Sequence, residues 1–150
     1  MSKKLVGYAK ASDIMNIEVK YGKQVFKFNL DEELRISEDN LNGEIKTHVR
    51  SYAFLSMLHK KLSIQVVEEE KALRILTNQK VNKLMSAGGV NITTAKSQTS
   101  TSPQVIAKEN TIAKMNELRD YVGVAVNSFS IRKDLLQSLS ANTRQEHKNN

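Results

Sequence analysis

Apolar side chains recur with helical spacing along two long tracts, residues 43–86 and 103–145. Projected at about 100° per residue, one stripe of the first tract contains Leu55, Leu58, Leu62, Val66, Leu73, Leu76 and Leu84. The corresponding stripe of the second tract contains Ile112, Met115, Leu118, Val122, Ala125, Phe129 and Leu136. The pattern predicts a mostly α protein built on a long antiparallel helical hairpin.

The ends of both tracts carry the residues that helix termini prefer. Asn42 and Gly43 lie near the start of the first tract, and Gly88-Gly89 follows its end. The second tract begins with Ser102, which can cap a helix, and Pro103, the chain's only proline. These positions predict where each helix begins and where the first one ends.

Each predicted helix also carries a second set of apolar positions. In the first helix, Ile45, Val49 and Tyr52 are rotated away from the leucine stripe. In the second helix, Val124, Ile131 and Leu135 lie roughly 100 to 150° from the main stripe. The rotated set in the first helix predicts that this helix meets different neighbours along its length, or bends. A helix needs only one stripe to pack on one partner, so the second stripe of the second helix predicts a homo-oligomer. The residues expected at this contact are Val124, Ile131, Leu135, Leu136 and Leu139. The alternative is that an N-terminal hairpin covers the second stripe.

The N-terminal part is predicted to form a small β-hairpin or extended segment. Phe26, Phe28 and Leu30 alternate with Lys27 and Asn29, after a turn-like stretch at residues 21–24. The aromatic and basic side chains could stack on bases, but packing of the phenylalanines on the helices is the favoured interpretation. The acidic residues 31–39 predict a short helix or turn.

The stretch between the two helices is polar and rich in Gly, Ser and Thr, which predicts a flexible linker over residues 86–102. The predicted organisation is an N-terminal extension at 1–40, a helical hairpin domain at 41–146, and a tail at 147–150.

Composition narrows the class of protein. The chain has 150 residues and no cysteine, which excludes disulfides, thiolate metal sites and cysteine nucleophiles. No apolar run approaches the roughly 20 residues of a membrane span, and the N-terminus lacks a signal peptide's apolar region. We therefore expect a soluble protein that is not exported and not in a membrane.

The formal charge of +7 is concentrated in the first helix. Residues 45–85 carry eight cations against the three acids Glu68, Glu69 and Glu70. Lys60, Lys71 and Arg74 project within about 60° of one another, off the leucine stripe, and form a candidate phosphate-binding face. Lys80 falls nearly in line with that stripe. An equally acceptable interpretation is that these lysine and arginine side chains are simply hydrated and bind no ligand.

No arrangement of residues indicates catalysis. His48, His59 and His147 have no metal-ligand spacing, and the acidic triplet points around the helix. We predict a protein that is not an enzyme, with no metal and no cofactor.

Four segments carry a recognisable pattern: residues 41–44, residues 52–55, the basic helix that ends at Gly88-Gly89, and the C-terminal run from Phe129 to Asn142. Together they resemble the UvsY-like family of bacteriophage recombination mediators. The resemblance extends over about residues 30–146 and leaves the N-terminal extension outside.

The resemblance implies a non-enzymatic homo-oligomer in the host cytoplasm that binds single-stranded DNA. It implies contact with a phage recombinase and displacement of single-strand-binding protein during recombination and repair. The family's DNA-contacting Lys-x-Arg pair falls here on Asn78-Gln79-Lys80, so its lysine is missing. The remaining candidates are Lys71, Arg74, Lys80 and Lys83, with Lys60 from the charge pattern. The family's C-terminal helix is associated with self-assembly.

A second hypothesis is a non-enzymatic coiled-coil scaffold protein of a phage, whose basic helix binds an acidic protein. It would oligomerise equally well but would have no reason to prefer single-stranded DNA. A double-strand-specific regulator is a weaker third option, because no compact helix-turn-helix spacing is present.

Overall fold

The computed structural model describes residues 5–8, 16–21 and 23–149. Three strands, β1 (Leu5–Tyr8), β2 (Asn16–Tyr21) and β3 (Gln24–Asn29), precede a short helix α1 (Leu30–Leu34) and a 3₁₀ turn (Glu38–Asn40). Two long helices follow, α2 (Leu41–Ser86) and α4 (Pro103–Asn149), with α3 (Ile92–Ser100) between them. The predicted fold class, mostly helical with a small N-terminal β-hairpin, is confirmed.

The ends of the long helices follow from local hydrogen bonds. The Asn40 side-chain oxygen accepts the Gly43 N–H at 3.2 Å, so α2 begins at Leu41, two residues before the predicted start. Gly88 and Gly89 adopt φ of 82° and 83°, which L side chains rarely adopt, and α2 ends at Ser86 as predicted. The second long helix starts at Pro103 as predicted and continues four residues past 145, to Asn149.

The prediction of an irregular linker over residues 86–102 is wrong for its greater part. Residues 92–100 form α3, whose first turn is capped by the Asn91 side-chain oxygen, 2.9 Å from the Thr94 nitrogen. This helix packs against α2 and α4 and buries Ala95 and Thr99. Small and polar side chains gave no apolar stripe in the sequence, yet two of them four residues apart are enough for close packing.

The three strands form an antiparallel sheet in the order β1-β2-β3. β2 and β3 pair from Asn16 with Asn29 to Tyr21 with Gln24, as a hairpin whose residue 22 lies outside the described residues. Phe26 and Phe28 pack their rings on Phe54 of α2, at centroid distances of 5.3 and 5.1 Å. The favoured interpretation of the phenylalanines as packing residues is thus confirmed.

The core lies where α2, α4 and the sheet meet. Leu55, Leu58 and Leu62 of α2 pack with Leu118, Val122, Ala125 and Phe129 of α4, under Ile17, Val19 and Leu30. A methyl group at Gly123 would lie 3.3 Å from His59 Nε2, so α2 and α4 approach closely here. Burial of each large aliphatic side chain contributes about 1.5 to 3 kcal/mol, which makes this seam the main source of stability.

Ion pairs near both ends of the seam set the antiparallel alignment. Arg132, late in α4, pairs with Glu44 in the first turn of α2. Its guanidinium also donates to the carbonyl oxygens of Leu34 and Arg35, at 3.3 and 2.9 Å. Towards the other end, Lys108 pairs with Glu69. Arg132 therefore joins the C-terminal end of α1 to both long helices.

Replacement of Arg132 should destabilise the fold far more than replacement of its neighbour. We expect Arg132→Met to lower the free energy of unfolding by about 3 kcal/mol, because Glu44 and two carbonyl groups lose their partner. Lys133→Met, which removes an exposed cation one residue away, should change it by less than about 0.5 kcal/mol. Urea unfolding followed by circular dichroism measures both, and equal effects would contradict the role given to Arg132.

Candidate nucleic-acid interface

Three of the predicted DNA-binding residues share one solvent-facing side of α2. Lys60, Lys71 and Arg74 are exposed on an uninterrupted helix, with Lys71 about 20° and Arg74 about 40° away from Lys60 around the axis. They extend over about 21 Å of helix length. None of the three forms an ion pair with the residues that the structure describes. Their charge is available to an anionic ligand.

Lys80 and Lys83 do not join this group. They lie about 160° and 140° around the helix from Lys60, close to the direction of the buried leucines. Lys80 is half-buried beside the buried Val81, in agreement with its predicted position near the apolar stripe, whereas Lys83 is exposed in the last turn. The five candidates are therefore divided between two sides of α2. Asn78 lies in line with Lys60, so the missing lysine falls on the side that holds Lys60, Lys71 and Arg74.

Aliphatic side chains lie among the three cations, which sequence reasoning missed. Met57, Ile64, Val67 and Ile75 are between 46% and 68% exposed and fall within about 60° of Lys60. We call these four residues together with Lys60, Lys71 and Arg74 the outer face of α2. The leucine stripe dominates the apolar pattern of this helix and masks the shorter aliphatic row on the opposite side.

The second apolar stripe of α4 also faces solvent. Val124, Ile131 and Leu135 are between 54% and 64% exposed, so the alternative that an N-terminal hairpin covers them is wrong. Leu136 lies 100° around the helix from Leu135, so its side chain faces inward and is buried within its own chain. In this position it cannot contact a second copy. Leu139 is half-buried. Of the residues predicted at the oligomer contact, Val124, Ile131 and Leu135 are thus the exposed ones.

A buried polar cluster lies between the first turns of α2 and the second half of α4. The His48 ring is 5% exposed and lies between Tyr52 and Phe129, at ring distances of 5.8 and 5.5 Å. Burial lowers the pKa of His48 below its ordinary value, and the charges of Arg132 and Lys133 lower it further. With its ring held between aromatic neighbours, this histidine acts as a packing residue.

An open apolar groove of about 310 Å³ separates the sheet from α2, with Phe26, Phe54 and Met57 among its lining residues. Gln24 and Lys61 are its polar lining residues, so the groove offers no set of converging reactive groups. Within the described part of the chain, no group of three His, Asp or Glu residues could hold a metal ion. No described helix is long and apolar enough to cross a membrane.

One solved protein structure has a similar fold. The crystal structure of the bacteriophage T4 recombination mediator protein UvsY is similar, with a TM-score of 0.64 over 78% of this chain and 92% of that chain. The two sequences are 14% identical, so the similarity establishes a shared fold. No family model matches the sequence. No curated protein matches it either.

The lowered pKa of His48 predicts a loss of stability in mild acid. Below the ordinary pKa of 6.5 the unfolded chain binds a proton that the folded chain does not, so the free energy of unfolding falls as pH drops below 6.5. The fall continues until the pH reaches the folded-state pKa. We expect His48→Gln to flatten the dependence between pH 7 and 5, measured by urea unfolding, and the exposed-site variant His147→Gln to leave it unchanged. An unaltered slope in His48→Gln would refute the assignment.

Proposed function

We propose that this protein is a single-stranded DNA-binding recombination mediator that loads a phage recombinase during homologous recombination and repair. The observation that carries the proposal is the exposed group of Lys60, Lys71 and Arg74, which has no described ion-pair partners, on a fold shared with UvsY. Three cations spaced along one helix suit a ligand with a regular series of negative charges. A phosphate backbone is such a ligand.

The physical basis of this binding is release of counterions from the strand. For single strands, a plot of the logarithm of the binding constant against the logarithm of salt concentration has a slope of about −0.7 per phosphate contact. Three contacts therefore give a slope of about −2. One protomer binds weakly at physiological salt. An oligomer that presents several copies of the same face gains affinity through effective concentration, without a nucleotide or a metal.

The exposed stripe of α4 supports self-assembly. Val124, Ile131 and Leu135 are joined along the helix by Ser128 and Ser138, whose hydroxyls donate to the carbonyl oxygens of Val124 and Asp134 at 3.0 Å each. Hydroxyls satisfied in this way can be buried at low cost. The stripe is thus an uncharged seam suited to a second copy of the same helix or to another apolar surface.

The remaining partners follow from the proposed role. A mediator in the host cytoplasm contacts the recombinase and single-strand-binding protein as well as the strand. Phosphate contacts and helix packing require no catalytic residue and no cofactor, so the proposed activity is non-enzymatic.

A coiled-coil scaffold of a phage is the second candidate, and the exposed stripe of α4 is what favours it. A scaffold would use the same stripe for assembly and the basic residues for an acidic protein. The two functions differ in their relation to nucleic acid, because only the mediator needs to prefer single-stranded DNA.

Removal of two outer-face cations should weaken DNA binding in a salt-dependent way. We expect Lys60→Ala/Lys71→Ala to lower affinity for a labelled single-stranded oligonucleotide roughly tenfold at low salt. The magnitude of the salt slope should fall by about 1.4 per protomer, since two contacts are lost. Fluorescence anisotropy across a salt series measures both quantities.

The matched control is Lys114→Ala/Lys148→Ala, which removes two cations of α4 and keeps the net charge equal to that of the first variant. Its affinity should stay within twofold of the natural protein. Equal losses in the two variants would show only a general charge effect. No binding of the natural protein to single strands at low salt would refute the mediator and move the scaffold to first place.

A charge within the α4 stripe should prevent assembly. We expect Ile131→Asp or Leu135→Asp to shift the mass in light scattering towards the 16.9 kDa of one chain, because an ion would be buried without a partner. Gln137→Asp adds the same charge at an exposed position on another side of α4 and should leave the mass unchanged. A natural protein that is already monomeric at micromolar concentration would contradict the predicted oligomer.

A further inference from the structure

We infer that the aliphatic side chains of the outer face of α2 contact the bases of the bound strand and select single-stranded over double-stranded DNA. The inference rests on the proposed function, since it needs DNA to lie on this face. It assigns the discrimination between the two forms of DNA to Met57, Ile64, Val67 and Ile75, residues that carry no charge.

The order of side chains along the helix is the first support. From residue 57 to residue 75 the outer face presents Met57, Lys60, Ile64, Val67, Lys71, Arg74 and Ile75 within an arc of about 100°. The row is about 27 Å long, and apolar and cationic groups interleave along it. A single strand has the same mixed character, because it offers phosphates and the apolar faces of unpaired bases side by side.

The central position of the cations argues against a protein helix as the occupant. A partner helix needs a continuous apolar seam with charges at its edges. On the outer face, Lys60 and Lys71 lie within about 40° of Ile64, in the middle of the aliphatic row, where a packed helix would bury them. The stripe of α4 is the contrasting case, since Val124, Ser128, Ile131, Leu135 and Ser138 follow one another without a charge.

The same argument separates the outer face from a membrane-binding surface. A helix that lies on a bilayer has an uninterrupted apolar side with its lysines on the polar side or at the boundary. Here the cations stand within the apolar row. The occupant is also not the same face of a second copy, because the lysine and arginine side chains of the two copies would repel each other.

Duplex DNA explains why the aliphatic groups would confer selectivity. In a duplex the base faces are stacked inside, so the duplex offers its phosphates to the cations but little apolar surface to the side chains between them. Unpaired bases expose flat faces that gain from contact with any apolar surface, although aromatic side chains give the larger effect. Cations should thus contribute to binding of both forms, whereas the aliphatic side chains contribute to one.

The test uses substitutions that keep a β-branched side chain and reduce its apolar surface. Ile64→Thr/Val67→Thr retains β-branched side chains on an exposed helix face, so the helix should be little affected. We expect affinity for a labelled single-stranded oligonucleotide to fall about tenfold, and affinity for the matching duplex to stay within twofold. The control, Val25→Thr/Ile92→Thr, changes two exposed aliphatic residues outside α2 and should alter neither affinity.

Each outcome has a distinct meaning. Equal losses for both DNA forms, or no loss for either, overturn the inference. A lower mass of the DNA-free threonine variant in light scattering overturns the inference, because the outer face is then a protein interface. Binding of the natural protein to anionic phospholipid vesicles that the threonine variant loses also overturns it, because the outer face is then a membrane surface. Lys60→Ala/Lys71→Ala is measured in parallel. If the lysine variant loses single-strand binding and the threonine variant does not, this inference fails while the proposed function stands.

Discussion

Apolar side chains buried between α2 and α4 form the core against which the sheet and α1 pack. Leucines of one helix and the Leu118 to Phe129 face of the other close the core. Arg132 links the two helices through Glu44 and joins the end of α1 to them through two carbonyl groups. Each side of a long helix can pack against only one neighbouring element. Once the seam takes one side of each long helix, the opposite sides are left to solvent, and both proposed activities depend on them.

The two solvent-facing sides differ in how charge is distributed. On α4 the apolar positions follow one another without interruption, a pattern that suits another helix. On α2 the aliphatic groups share the same arc with Lys60 and Lys71, a pattern that suits a flexible polyanion. The proposed assembly and the proposed strand binding use different sides of the hairpin, so a contact between copies through α4 need not cover the proposed DNA-binding face.

The sequence predicted the elements better than it predicted their surroundings. Helical spacing of leucines, Pro103 and Gly88-Gly89 placed α2 and α4 to within a few residues, because these signals act locally. The third helix was missed, since Ala95 and Thr99 become buried only when α2 and α4 are already paired. Arg132 gave no signal as a structural residue, because its partners Leu34, Arg35 and Glu44 are between 88 and 98 positions away along the chain.

The candidate site likewise combines features that the sequence predicted with features that depend on the fold. Charge and periodicity alone determined that α2 is basic, that Lys60, Lys71 and Arg74 share a side, and that α4 has a second apolar stripe. Only the tertiary structure decided that Leu136 is buried, that Val124, Ile131 and Leu135 stay exposed, and that Lys80 is half-buried. The physical reason is that a helical projection gives the direction of each side chain around its own axis, whereas exposure depends on which neighbour takes that direction.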